Sequence, residues 1–282
     1  MNETRLTALM PLRAYHPPFL ARAIDSLRAQ TSSRWRLLII DDGAACSDVL
    51  DDACADSRVR LVRNQGRRLA AALNTGMGMA ATEFVASLFA DDMWSKDAVR
   101  VLTEHIESHP DVDFFHSARV FVDDHDEPIS SVYPSRENFR LEDFEQGSPV
   151  KHLLCWRRVT GLAAGGIDES LNSVGPDDYD FPWCMAERGA VFKAIQEPLY
   201  LYRDHRECER LTTHLPLSVH KRELRRIMRK HHVPPARIER RIADAERGYL
   251  GQCLYRSRLD RWLKVARGHD PHQGWREPYR QT

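Results

Sequence analysis

The chain has 282 residues, 42% of them hydrophobic, with 41 Lys plus Arg balanced by 41 Asp plus Glu; this is enough apolar material for one substantial core and a small appendage, and too regular a pattern for a disordered chain. No apolar run is long enough to span a bilayer, and Met1-Asn2-Glu3-Thr4-Arg5 leads straight into a strand-like segment without a signal-peptide core, so the expected location is the cytoplasm. The balanced total hides an uneven distribution: residues 216–282 hold 17 Lys plus Arg against 7 Asp plus Glu, a net +10 that leaves −10 on the first 215.

Leu6-Thr7-Ala8-Leu9-Met10-Pro11-Leu12 is an apolar run closed by a proline, which predicts a buried strand entering a loop. From Pro18 onward, Phe19, Leu20, Ala23, Ile24 and Leu27 recur at helical spacing, and Trp35-Arg36-Leu37-Leu38-Ile39-Ile40 is then a second strand ending on Asp41-Asp42-Gly43. The alternation continues with a helix over 47–55, a strand over 59–62, a helix over 69–80, a strand over 84–88 and a helix over 96–108. Strands separated by helices at this pace form a parallel sheet with right-handed crossovers. The first half is therefore expected to be a doubly wound α/β unit.

Beyond Pro110 the order loosens. Strands are expected over 113–116 and 118–122, then a polar turn over 123–126 and a strand over 129–133. Residues 135–149 are polar and fit a loop or cover, or surface with no role. A helical stretch over 151–164 leads to Gly165-Gly166-Ile167-Asp168, and Gly175-Pro176-Asp177-Asp178 opens a helix running to 188. Residues 191–202 resume as strand, and the tail, with 219–231, 235–248 and 249–266, is expected to form two or three basic helices. The six cysteines are scattered, with no Cys-x-x-Cys pair and no zinc-like spacing with histidine, so they are expected to be reduced thiols.

The chemistry concentrates where strands end. Phe84-Val85-Ala86-Ser87-Leu88 gives way after Phe89-Ala90 to Asp91-Asp92, and adjacent carboxylates leaving a buried strand suit Mg²⁺ or Mn²⁺, with substrate phosphates completing the shell. The same pair could simply end a strand and cap the next helix. Ligands of open α/β sheets bind beyond the carboxyl ends of the strands, so Pro11, Asp41-Asp42 and Asp91-Asp92 should converge on one edge. The basic tail could meet an anionic membrane surface, a nucleic acid or a phosphorylated acceptor, or pack against its acidic partner domain.

Taken in order, several segments resemble the family 2 inverting glycosyltransferases of the GT-A fold: Ala8-Leu9-Met10-Pro11, Ile39-Ile40-Asp41-Asp42-Gly43, Asn64-Gln65-Gly66 with Ala71-Ala72-Leu73-Asn74-Thr75-Gly76, Ala90-Asp91-Asp92, Gly165-Gly166-Ile167-Asp168-Glu169, Asp177-Asp178-Tyr179-Asp180 and Tyr202-Arg203-Asp204-His205. The resemblance covers roughly the first 205 residues. It implies a GT-A domain over 1–215, with a mixed, mainly parallel sheet flanked by helices: 1–110 as the nucleotide-binding half and 111–215 as the acceptor and catalytic half. Residues 216–282 form the basic helical tail.

By resemblance, Asp42 accepts a hydrogen bond from the base, uracil in the commonest donors, beside a wall shaped by Pro11, Leu12 and Arg13. Arg67 or Arg68 approaches the base or pyrophosphate, or belongs to a solvated face. Asp91 holds the ribose and Asp92 the Mn²⁺ or Mg²⁺ that bridges the diphosphate, with His205 at a position that can add a metal ligand. Many members carry an aspartate where this chain has Phe89, which bears on metal affinity. Asp178 is implied as the catalytic base and Asp177 as its acidic neighbour; the two can also cap a helix. Gly165 and Gly166 resemble a turn that lets backbone approach the donor sugar or acceptor, and equally fit a helix C-terminus.

The implied function is inverting transfer from a nucleotide-diphosphate sugar, a UDP-sugar foremost, to a hydroxyl of a glycan, lipid-linked or small-molecule acceptor. A nucleic-acid partner is not expected, whereas peripheral membrane contact at the inner face through the tail and a homodimer are left open. Processive synthases of the family add membrane helices and a Gln-x-x-Arg-Trp motif, so a non-processive enzyme is expected. The competing readings are a catalytically silent nucleotide-sugar-binding or scaffold protein of the same fold, motivated by Phe89, and a nucleotidyltransferase, for which Pro11-Leu12-Arg13-Ala14-Tyr15 lacks the Gly-rich loop.

Overall fold

The computed structural model describes residues 4–45, 47–171, 175–204, 216–256, 262 and 265–266. Its first half follows the expected alternation: β1 (Leu6–Leu12), α1 (Pro17–Arg28), β2 (Trp35–Asp41), α2 (Asp48–Cys54), β3 (Val59–Arg63), α3 (Arg68–Met79) and β4 (Phe84–Ser87). β1 pairs in parallel with both β2 and β4, and β2 with β3. Side chains alternate across this sheet, as the strand period of two requires. Leu6, Ala8, Met10 and Leu12 pack with Leu20, Ile24 and Leu27 of α1, while Leu9, Leu38 and Ile40 pack with Ala70, Leu73 and Met77 of α3.

The second half completes one eight-stranded sheet. A two-residue strand β5 (Met93–Trp94) precedes α4 (Ala98–Ser108), and β6 (Phe114–Val122), β7 (Leu154–Arg157), α5 (Arg158–Ala163), α6 (Phe181–Glu187) and β8 (Phe192–Arg203) follow. The strand order is β3-β2-β1-β4-β7-β6-β8-β5, with β7 antiparallel to both neighbours, β6 parallel to β8 and β5 antiparallel to β8. This is a mixed, mainly parallel sheet flanked by helices, as expected.

Several elements depart from the sequence expectation. The helix expected over 151–164 is split into strand β7 and the short helix α5. Leu154, Cys155 and Trp156 are all buried, and a strand covered on both faces has no alternation to separate it from a buried helix. The strands expected over 113–116 and 118–122 are one strand, whose register against β8 shifts between Ser117 and Arg119, where Ala118 faces Pro198; a proline cannot donate to the ladder, so a bulge there is expected. The strand expected over 129–133 is reduced to isolated bridges, Arg119 with Tyr133 and Val122 with Pro128.

The tail forms α7 (Leu217–Lys230) and α8 (Pro235–Arg256), the second joining 235–248 to the start of 249–266; most of 257–266 lies outside the described residues. Leu224, Ile227 and Met228 of α7 and Ile238 and Ile242 of α8 share a core with Phe144, Tyr179 and Trp183. Much of its positive charge is matched locally: Lys221 pairs with Glu246, Arg225 with Glu239, Arg237 with Glu145, and Lys230 with Asp168 and Asp180. His231, just past α7, stacks on Trp183 with ring centroids 4.0 Å apart. Its Nε2 lies 3.1 Å from Asp180 Oδ1 and its Nδ1 2.9 Å from Glu187 Oε1.

The end of β8 is fastened by Arg203, which is fully buried. Its Nε donates to the Asp91 carbonyl at 2.8 Å, one terminal nitrogen donates to the Asp123 carbonyl at 2.7 Å, and the other lies 2.5 Å from Asp126 Oδ1. The guanidinium carbon sits 4.5 Å from the Phe19 ring centroid. One side chain thus joins β8, the turn after β4, the 123–126 turn and α1. Arg203→Met should leave two carbonyls without donors and cost about 3 kcal/mol, read as a lowered urea midpoint.

Burial opposes the charge of His231, but Asp180, Cys184 and Glu187 outweigh it and raise its pKa to about 9. A folded pKa above the ordinary 6.5 means stabilisation that is complete below about pH 6.5 and lost as the pH climbs through about 9. After solvent screening this amounts to about 1–2 kcal/mol. Urea unfolding of the wild type against His231→Gln should show a stability gap at pH 6 that closes by about pH 9.5.

Candidate active site at the strand ends

β1, β2 and β4 run parallel, so the segments that follow them emerge on one edge of the sheet. The Asp42 N–H donates to the Leu12 carbonyl at 2.7 Å, which fastens the end of β2 to the end of β1. The two aspartates there divide the work. Asp41 Oδ1 accepts the N–H groups of Gly43 and Ala44 at 2.9 and 2.7 Å and so builds the turn. Asp42 accepts the Arg68 N–H at 2.8 Å on Oδ2 and the Asn64 amide at 3.0 Å on Oδ1, facing the start of α3.

Pro11 lies within β1 opposite Ile40, and Arg13 is exposed with its Nε 4.0 Å from Asp42 Oδ2. Arg68 is also exposed, and its backbone φ of 67° puts its N–H rather than its side chain on Asp42.

Asp92 is buried deeper than its neighbour. Tyr200 Oη donates to its Oδ2 at 2.7 Å and the Arg203 N–H to its Oδ1 at 2.8 Å. Burial, then the adjacent charge of Asp91, push its proton affinity well above the ordinary carboxylate range. Burial, then Asp92, likewise keep the Tyr200 phenol protonated, so it remains a donor. Phe89, in the position where an aspartate is common, stands edge-on to His152, with centroids 5.3 Å apart.

His152 connects the two acidic pairs. Its ring lies 5.5 Å from that of Tyr200, and its Nε2 is 3.3 Å from Asp177 Oδ2. Contacts therefore run without a break from Asp177 through His152 and Tyr200 to Asp92. Asp177 and Asp178 occupy a single π-helical turn, residues Pro176–Asp180, that leads into α6. Gly175 ahead of it has φ 45°, and a Cβ there would meet Asp178 Oδ1 at 2.8 Å, so the turn requires glycine. Burial, then Asp177, raise the proton affinity of Asp178, while His152, Lys151 and Arg119 oppose them.

Gly165 and Gly166, with φ of 95° and 72°, end α5 in a Schellman turn: Gly166 N–H donates to the Gly161 carbonyl and Gly165 N–H to that of Leu162. They line a cleft of about 610 Å³ together with Asn74, Asp168, Glu187 and Lys230. Asp42, Asp91, Asp92, Asp177 and Asp178 are not among its walls. His205 lies outside the described residues.

Sequence reasoning found the acids and missed what holds them. Arg203 was visible only as part of a motif, Tyr200 as one aromatic in a strand, and His152 carried no signal.

Among the described residues, the ligand atoms of Asp180, Cys184 and His231 lie within 4.8 Å of one another. Lys230 Nζ, 2.7 Å from Asp180 Oδ2, already supplies a positive charge there. Asp91 and Asp92 suit a divalent cation better. Each Asp92 oxygen accepts one hydrogen bond and keeps a lone pair for a hard ion, whose charge would relieve the crowding of two carboxylates.

Among curated proteins, the chain is 28% identical over 196 residues to an uncharacterized protein of Sinorhizobium fredii, covering 66% of this chain and 21% of that one. It is 27% identical over 198 residues to an uncharacterized glycosyltransferase of a Nostoc species, covering 66% and 61%, and 28% identical to the pre-mycofactocin glycosyltransferase of Mycobacterium tuberculosis, covering 71% and 43%. The chain thus spans between 21% and 61% of the length of these relatives. Among solved structures, residues 1–349 of Staphylococcus aureus TarS in complex with UDP-GlcNAc superpose with a TM-score of 0.64 at 16% identity, over 93% of this chain and 76% of that one, which is a likeness of fold. No helix among the described residues is long and apolar enough to cross a membrane. The Glycosyl transferase family 2 model matches residues 7–158, more than half of the chain, and the protein belongs to that family.

Proposed function

We propose that the protein is an inverting, non-processive glycosyltransferase that moves a sugar from a UDP-sugar to a hydroxyl of its acceptor. The observation that carries this reading is the contact path Asp177–His152–Tyr200–Asp92, which sets a buried acidic pair beside the carboxylates beyond β4. Family membership supports the transfer chemistry, and the UDP-GlcNAc complex of TarS supports UDP as the carrier.

In this reading Asp42 accepts a hydrogen bond from the uracil N–H beside Pro11, Leu12 and Arg13, using lone pairs that Arg68 and Asn64 leave open. Asp91 holds the ribose. Asp92, with Asp91 beside it, would hold Mn²⁺ or Mg²⁺, which would supply positive charge to the leaving diphosphate. Asp178 takes the proton of the acceptor hydroxyl as its oxygen attacks the anomeric carbon from the face opposite the diphosphate. The bond to the diphosphate breaks and the configuration inverts. A base must hold the proton it removes, and the burial and the Asp177 charge that raise the proton affinity of Asp178 serve that step.

Release of UDP from UDP-sugars in the presence of Mn²⁺, followed with UDP binding by calorimetry, tests the proposal. Asp178→Asn should lower turnover by about 10²–10⁴-fold and leave UDP affinity intact; unchanged turnover would remove Asp178 from the mechanism. Because Asp178 must be ionised to act, the acid limb of kcat/KM should fall at a pH above the ordinary carboxylate range. Asp42→Ala should weaken UDP binding by about tenfold or more and affect inorganic pyrophosphate much less, as expected for a lost base contact.

A further inference from the structure

Two cations of the second half, Arg119 and Lys151, have no carboxylate ion pair among the described residues. Arg119 on β6 has its guanidinium carbon 5.0, 5.2 and 5.4 Å from the ring centroids of Phe121, Tyr133 and Tyr202. Its Nε is buried and makes no hydrogen bond. Lys151, just ahead of β7, is half-buried and reaches the Ser148 carbonyl at 3.2 Å. Neither forms an ion pair with a carboxylate among the described residues. The rings hold the guanidinium by cation–π attraction while leaving its N–H donors unused.

Their surroundings place both at the acidic locus. Tyr202 neighbours Tyr200, the donor to Asp92, and Lys151 precedes His152, the partner of Asp177. Burial, then Arg119, depress the Lys151 ammonium, while Asp178 opposes them. Asp178 is influenced by both cations, whereas of the two only Arg119 is among the leading influences on Asp92. Two like charges that act on each other repel, and a multivalent anion bridging them removes that cost.

We propose that Arg119 and Lys151 bind a phosphate group carried by the acceptor and so seat its hydroxyl against Asp178. The inference rests on Asp178 as the base and adds the acceptor class: a phosphorylated alcohol or polyol. β6 and β7 lie on the far side of β4 from β1 and β2, which carry Asp42, so the pair stands on the side away from the nucleotide strands.

The test is calorimetric titration of inorganic phosphate and of glycerol 3-phosphate into protein saturated with UDP and Mn²⁺, using the wild type, Arg119→Gln and Lys151→Met. Expected are saturable binding of both probes to the UDP-loaded wild type, loss of about tenfold or more in each variant, and UDP affinity within about twofold of wild type. Absence of saturable phosphate binding to the UDP-loaded wild type overturns the proposal. So does a fall of about tenfold in UDP affinity in the variants, which would give the cations to the donor diphosphate. If a variant fails to fold, competition in the wild type decides: independent binding of phosphate and UDP supports the site, and mutual exclusion sinks it. A wild type that does not bind UDP refutes the donor reading instead, and the same phosphate titrations of the unliganded protein then judge the cation pair.

Discussion

A buried guanidinium must satisfy its donors or destabilise the fold, and in this chain that requirement fixes the geometry of the site. Arg203 donates to the carbonyls of Asp91 and Asp123 and ion-pairs with Asp126, while its own N–H binds Asp92. The carboxylates beyond β4 are therefore located by the end of β8, 111 residues away. The register slip opposite Pro198 contributes to this arrangement, because it sets which residues of β8 arrive at the end of the strand. The slip takes two steps of β6 past five of β8, from Ser117–Ile195 to Arg119–Tyr200, and without this odd offset Tyr200 and Arg203 would turn to the other face.

The same constraint sorts protons. Asp92 accepts from a phenol and a backbone N–H, so the surrounding groups are donors whose orientation is fixed before any ligand arrives, a condition that favours electrostatic catalysis. Asp178 lies in a different balance, with burial and Asp177 raising its proton affinity and three basic side chains opposing them.

The parallel half was legible because every helix there buries one face and every strand alternates or runs fully apolar between turn residues. β7 was not, since Leu154, Cys155 and Trp156 are all buried and buried runs carry no period. β5, at two residues, is below what any pattern can register. The acids of the candidate site were legible for a simple reason: a carboxylate that closes an apolar strand is conspicuous. Their roles within the turn were not, for the sequence offers Asp41 and Asp42 as equals and the hydrogen bonds give the turn to one and the crevice to the other. Tyr200 and Arg203 act on residues more than a hundred positions away, a relation that no local window contains.

Charge counted along the chain points to the tail, whose excess of +10 fits either an anionic partner or packing against the acidic domain. In the folded molecule Lys221, Arg225, Arg237 and Lys230 meet carboxylates of the tail itself or of the acidic half it packs against. Arg237 and Lys230 thereby help to dock the tail on that half, and ion pairs already formed have little left to offer a ligand. Arg119 and Lys151, which have no carboxylate partner among the described residues, lie in the half that the sequence marks as acidic. Arg119 is held by three rings and Lys151 by a single carbonyl, both beside Asp178. Anion recognition follows the charges a fold leaves unpaired, and a net count does not reveal where those are.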